Sequence, residues 1–137
     1  MTVPRAMAAA VFERAGGRCE YCRVPDGVHL KPFEIDHVRA LRHDGRTEPA
    51  NLALSCHFCN SAQGTNLASI DPQTGEITRL FNPRRDRWTD EFGYDAGVIS
   101  GRTAAGRTTV FLLRMNEPSH VAVRRLLADD GLADFTA

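Results

Sequence analysis

Four cysteines fall in two pairs, Cys19-x-x-Cys22 and Cys56-x-x-Cys59, with thirty-three residues between the pairs. No other feature restricts the fold so strongly. A chain of 137 residues buries a smaller share of its surface than a large protein, so a metal staple adds materially to its stability. No apolar run approaches the roughly 20 residues needed to span a bilayer. Residues 1–12 lack the long hydrophobic region of a signal peptide. The expectation is therefore a cytoplasmic protein in a reducing compartment, where paired CxxC motifs read as zinc ligands rather than disulfides. Four thiolates suit a closed, tetrahedral, structural zinc site. Redox-active CxxC motifs and buried free thiols are the alternatives.

Charge decides little. Seventeen basic residues balance seventeen acidic ones, which taken alone argues against a nucleic-acid partner. Of the basic residues all but Lys31 are arginine. Arginine is the better bidentate phosphate binder, although a GC-rich genome produces the same bias.

The pattern along the chain predicts an α+β fold, as one domain or a small domain with an appendage. Residues 4–15 read as a helix: Pro4 suits the first turn, Met7, Val11 and Ala15 recur at i, i+4 and i+8, and Gly16-Gly17 ends it. After the first cysteine pair, residues 28–38 are short, partly alternating and β-like, with Pro32 marking an irregular or edge strand. Residues 39–50 read as a loop. Leu52-Ala53-Leu54 forms a second expected strand, and residues 57–63 a helix stopped by Gly64. Beyond Ser69, Asp71-Pro72-Gln73-Thr74-Gly75 is an expected turn and residues 76–81 a strand. Residues 82–94 are polar and aromatic. Residues 97–101 and 108–115 suggest further strands, or a strand leading into a helix. Ser119 is the expected cap of a final helix carrying Val121, Val123, Leu126 and Leu127.

Between and beside the cysteines lie residues suited to hydrolysis. A divalent ion acts as a Lewis acid toward phosphate, and Mg²⁺ takes hard oxygen ligands while keeping several waters. Asp36 and Asn60 offer two such oxygens. His37, with an ordinary pKa near 6.5, can accept a proton from water at neutral pH. Neighbours on a regular strand face opposite ways, so Asp36 and His37 need a distorted strand end to serve one ligand. Taken singly, Asp36 can cap a turn, His37 can be a hydrogen-bonded core histidine, Asn51 a helix or turn cap, and Asn60 an ordinary helix residue.

Together, Cys19-x-x-Cys22, Glu34-Ile35-Asp36-His37-Val38, Asn51-Leu52-Ala53-Leu54-Ser55-Cys56 and Cys59-Asn60 resemble the HNH endonuclease family, with its ββα-metal (His-Me finger) core. The resemblance covers about residues 5–66. It implies a nuclease core at 1–68 with a C-terminal β/α extension at 69–137. It also implies that His37 is the general base and that Asp36 and Asn60 hold a catalytic Mg²⁺ or Mn²⁺. Asn51 would fix the active-site loop and orient the histidine, while the four cysteines hold a separate structural Zn²⁺. The implied activity is metal-dependent endonucleolytic hydrolysis of DNA, leaving a 3′-hydroxyl and a 5′-phosphate, by a monomer or homodimer. The rivals are a non-catalytic zinc-dependent nucleic-acid-binding module of the same fold, and an RNase or nuclease toxin. Asn60 stands where some relatives have His, and still offers an oxygen. Gln63 replaces the Lys or Arg of many relatives, removing one phosphate contact. Leu80-Phe81-Asn82-Pro83-Arg84, with Trp88 and Gly101-Arg102-Thr103, looks like an extension found in a bacterial subgroup of these proteins. His57 is either an exposed helix residue or a DNA contact. Arg84, Arg85 and Arg87 beside Trp88 either grip phosphate and stack on a base or form a solvated loop.

Overall fold

The computed structural model describes residues 3–136; the expected domain ends at residues 1, 2 and 137 lie outside them. The fold is α+β, built from short helices and three two-stranded antiparallel sheets. The chain condenses into two units. One holds the residues up to Thr65 together with Asn82–Arg85, the other Asn66–Phe81 and the chain from Asp86 onward.

In the first unit, α1 (Arg5–Arg14) is followed by the knuckle of the first cysteine pair. A hairpin then forms from β1 (Glu34–His37) and β2 (Leu52–Ser55), and α2 (His57–Gln63) completes a β-β-α order. Glu34 pairs with Ser55, Ile35 with Leu54, Asp36 with Ala53 and His37 with Leu52. The strand is shorter than the β-like stretch at 28–38: residues 28–33 pair with no strand, and Pro32 lacks the N–H a ladder needs. Val11, Leu52 and Leu54 form the core here, with Met7, Ala15, Phe33 and Ile35 packed on it. The Arg14 guanidinium ties α1 down by donating to the Pro49 and Leu52 carbonyls at 2.9 and 2.5 Å. The loop at 39–50 contains two single-turn 3₁₀ segments, Leu41–His43 and Pro49–Asn51. Gly45 is required there, because a Cβ would stand 1.6 Å from the Arg39 carbonyl oxygen.

Helix α2 begins and ends where the sequence places it. The Cys56 sulfur caps it by accepting the Cys59 N–H at 3.4 Å, and Gly64, at φ +56°, terminates it.

The second unit contains the hairpin of β3 (Ala68–Ile70) and β4 (Ile77–Arg79), then α3 (Trp88–Glu91). The hairpin of β5 (Phe92–Asp95) and β6 (Val98–Gly101) follows, then α4 (Ala104–Leu112) and α5 (Pro118–Asp129). The expected turn at 71–75 links β3 to β4. Its Asp71 carboxylate is fully buried, accepts from Gln73 N–H and Thr74 O–H, and is paired with Arg107 at 2.9 Å. Of the two readings of residues 97–101 and 108–115, a strand leading into a helix is the one found, while the expected Ser119 cap is not. Residues 108–112 are helical and belong to α4. Thr108 and Thr109 turn their hydroxyls back onto the Ala104 and Ala105 carbonyls at 2.8 and 2.7 Å, which lets these β-branched residues sit within the helix. Ser119 does not cap α5: Glu117 is the cap residue, Pro118 opens the first turn, and no side chain accepts at that end.

Candidate metal centre and hydrolytic site

Cys19, Cys22, Cys56 and Cys59 are all buried, and their sulfurs lie within 4.8 Å of one another. Cys22 Sγ stands 3.7 Å from Cys56 Sγ. Zinc–sulfur bonds of ~2.3 Å in a tetrahedron place sulfurs about 3.8 Å apart, so the donor set fits Zn²⁺. Against burial, which raises a thiol, hydrogen bonds from the neighbouring sulfurs hold Cys19 well below the usual range. Cys22 and Cys59 are pushed up, chiefly because their thiols donate to Cys19.

Glu20, inside the first CxxC, couples this knuckle to the hairpin. Its backbone N–H donates to the Leu54 carbonyl at 2.9 Å, its carboxylate accepts the Leu54 N–H at 2.8 Å, and its other oxygen pairs with Arg84. Tyr21, also buried, directs its hydroxyl at Asp36 Oδ2, 3.4 Å away. The knuckle thus touches the strand that carries the Asp-His pair.

Alternation along β1 sends Glu34 and Asp36 to one face and Ile35 to the core. Asp36 is largely withdrawn from water, and burial pushes its carboxyl up to about 7. The nearby charges of Glu34 and Cys19 add to that, while hydrogen bonds from Tyr21 and the His37 backbone N–H oppose it. At the strand end, His37 Nε2 meets Thr47 Oγ1 at 2.8 Å, which leaves Nδ1 as the ring nitrogen not engaged by that bond. Asn51 spends its whole amide on the loop after β1. Its Oδ1 accepts the Arg39 N–H at 2.9 Å, and its Nδ2 donates to the Arg39 and Arg46 carbonyls at 3.0 and 2.8 Å. Thr47 follows directly, so Asn51 stabilises the loop that holds the histidine partner.

Asn60, in α2, donates from Nδ2 to Glu34 Oε2 at 2.6 Å. His57 Nδ1 lies 3.9 Å from the other Glu34 oxygen. One face of the hairpin and α2 thereby bring Glu34, Asn60 and His57 together, and Asp36 shares the Glu34 side of the strand. The His37 ring and the Asn51 amide belong to the loop network, and His37 meets the Asp36 carboxylate through its backbone N–H.

Arg84 is half-enclosed and ion-paired with Glu20, whereas Arg85 and Arg87 are exposed. Trp88 beside them is enclosed. It is 6% exposed and packs on Phe92 with ring centroids 5.1 Å apart, so it presents no face on which a base can stack. Sequence reasoning missed Tyr21, Thr47 and the contact of Glu34 with Asn60. The i, i+2 spacing of Glu34 and Asp36 and the tyrosine inside the CxxC were visible signals. Thr47 carried none, since its partner comes from across the loop.

Residues 19–66 match the family model described as HNH endonuclease. Along most of its length the chain is also similar to the Septu protein PtuB of Bacillus thuringiensis, with 27% identity over 124 residues, or 86% of this chain. The chain spans 44% of the length of that relative. No solved structure matches the chain. Among the described residues, no helix is long and apolar enough to cross a membrane.

Proposed function

We propose that the chain is a metal-dependent endonuclease that hydrolyses DNA phosphodiester bonds, with the chemistry carried by residues 1–68 and an extension at 69–137. The observation that supports this most is the division of labour around the β1–β2 hairpin. A histidine is oriented at one ring nitrogen, while Asp36 shares the strand face of Glu34, whose carboxylate the Asn60 amide contacts. HNH domains are usually nucleases acting on DNA.

In this reading His37 uses Nδ1 to take a proton from the attacking water, while Thr47 holds Nε2 and fixes the ring. Asn51 keeps the loop, and with it Thr47, in place. Asp36 Oδ and Asn60 Oδ1 hold the catalytic divalent ion, Mg²⁺ or Mn²⁺. When bound, that ion supplies charge stabilisation at the phosphate and the leaving 3′ oxygen. Asp36 must be ionised to bind it, which its buried setting resists at low pH. The four cysteines hold a structural Zn²⁺ that takes no part in the hydrolysis. The half-buried His57 and the exposed Arg85 and Arg87 are assigned to contacts with the DNA backbone.

The test is nicking of a supercoiled plasmid by the zinc-loaded protein with Mg²⁺ or Mn²⁺, against EDTA and against His37→Ala. Metal-dependent nicking abolished in His37→Ala supports the assignment. Equal nicking by the folded variant overturns the general base. No nicking by any form, alongside retained DNA binding, favours a non-catalytic binding module. Cleavage confined to RNA favours an RNase.

A further inference from the structure

We propose that Glu34 is a positioning residue that fixes which end of the Asn60 amide faces the divalent ion; the inference rests on the assignment of Asn60 as a ligand. An asparagine amide has two ends of similar size and opposite character, two N–H donors and one carbonyl acceptor, and only the oxygen ligates a hard cation. Nothing in the side chain itself decides which end points where. The decision comes from its neighbours.

Here the neighbour is a carboxylate, which accepts and does not donate. Glu34 Oε2 stands 2.6 Å from Asn60 Nδ2, a short, charge-assisted bond. Rotating the amide by half a turn would set Oδ1 against that carboxylate oxygen, two acceptors face to face. Glu34 therefore holds Nδ2 and leaves Oδ1 on the other side of the amide. The strand geometry makes this economical. Glu34 and Asp36 are two positions apart on β1 and share a face, so one strand delivers a ligand and the residue that orients the second ligand from α2. The other Glu34 oxygen lies 3.9 Å from His57 Nδ1 at the start of the same helix. Outer-shell partners of this kind carry ~10–100-fold in metal affinity.

The experiment is Mn²⁺ titration of the zinc-loaded full chain, followed by electron paramagnetic resonance without DNA, so that no turnover enters the readout. Glu34→Gln removes the charge but keeps an acceptor oxygen for Asn60 Nδ2, whereas Glu34→Leu removes both. Zinc content and far-UV circular dichroism establish that each variant is folded, and Glu34→Met replaces Glu34→Leu if the latter is not. The expected result is Mn²⁺ binding about tenfold weaker in the apolar variant than in Glu34→Gln. In an Asn60→Asp background, where the ligand has no amide to orient, the two Glu34 variants should bind Mn²⁺ equally. If the apolar variant and Glu34→Gln bind equally with Asn60 present, or differ as much with Asp at 60, Glu34 does not act by orienting the amide. Asn60→Ala separates this failure from that of the underlying assignment: unchanged Mn²⁺ binding there overturns Asn60 as a ligand, and this inference with it.

Discussion

Asp36 carries a stability signature that can be measured before any nuclease assay. Its carboxyl is pushed up to about 7, chiefly by burial, against about 3.9 in an unfolded chain. The native state therefore holds a proton that the unfolded state has released across that interval. Stability from this group is fully present below pH ~4 and is lost as pH rises through 7. Three units of displacement correspond to about 4 kcal/mol at the limit. Of this, about 2 kcal/mol should be lost between pH 5.5 and 8, a window that avoids acid release of zinc. Asp36→Asn stays neutral throughout and lacks this loss. Urea unfolding of both proteins, zinc-loaded and without Mg²⁺ or Mn²⁺, gives the comparison, since the other titrating groups are common to both. The difference should widen by about 1.4 kcal/mol per pH unit up to pH 7, in favour of the asparagine, and then level off. Parallel stability profiles across the whole range would refute the argument that Asp36 is buried as a neutral acid.

Cys56→Ser removes a zinc ligand and weakens the α2 cap, so zinc should be released and the first unit unfolded, as read by a colorimetric zinc assay and circular dichroism; a folded, zinc-loaded variant would remove the staple from the account. Asn51→Ala loses three hydrogen bonds to the loop, at about 1 kcal/mol each, and the displaced Thr47 and His37 should lower the nicking rate about 100-fold. Tyr21→Phe should keep zinc but remove a bond that lowers the Asp36 pKa, so the onset of Mn²⁺ binding should move to higher pH; an unchanged onset would show that the 3.4 Å contact is idle. Arg84→Met leaves Glu20 enclosed without its cation and should cost about 3 kcal/mol in urea unfolding, with little change in the metal requirement.

Legibility followed the range of each interaction. Helix α2 was readable to the residue because its signals are local: a cysteine cap before it and a glycine after it. The hairpin was readable from Leu52-Ala53-Leu54 and the Glu34–Val38 motif, but the length of β1 was not, because Pro32 and the absence of a partner decide it. For helix α4 the sequence left strand and helix both open, because Thr108 and Thr109 have β-like character and their satisfaction by carbonyls one turn back appears only once the helix exists. In the candidate site, identities were legible and orientations were not. Asp36, His37, Asn51 and Asn60 stand out by type and spacing. Whether an imidazole nitrogen or an amide oxygen faces outward depends on Thr47 and Glu34, which act through space.

The pairing of Glu20 with Arg84 bears on how such a domain could be moved between proteins. The HNH match ends at residue 66, yet the unit built around it includes Asn82–Arg85, and Arg84 supplies the cation for the glutamate between the first two cysteines. The chain leaves the unit and comes back to fasten it. A graft cut at the edge of the motif would carry the cysteines, Asp36, His37, Asn51 and Asn60, but would leave Glu20 against β2 without the Arg84 guanidinium. Recombination that respects only the linear motif should therefore yield fragments that hold zinc poorly, whereas exchange points beyond Arg85 keep the fastening intact.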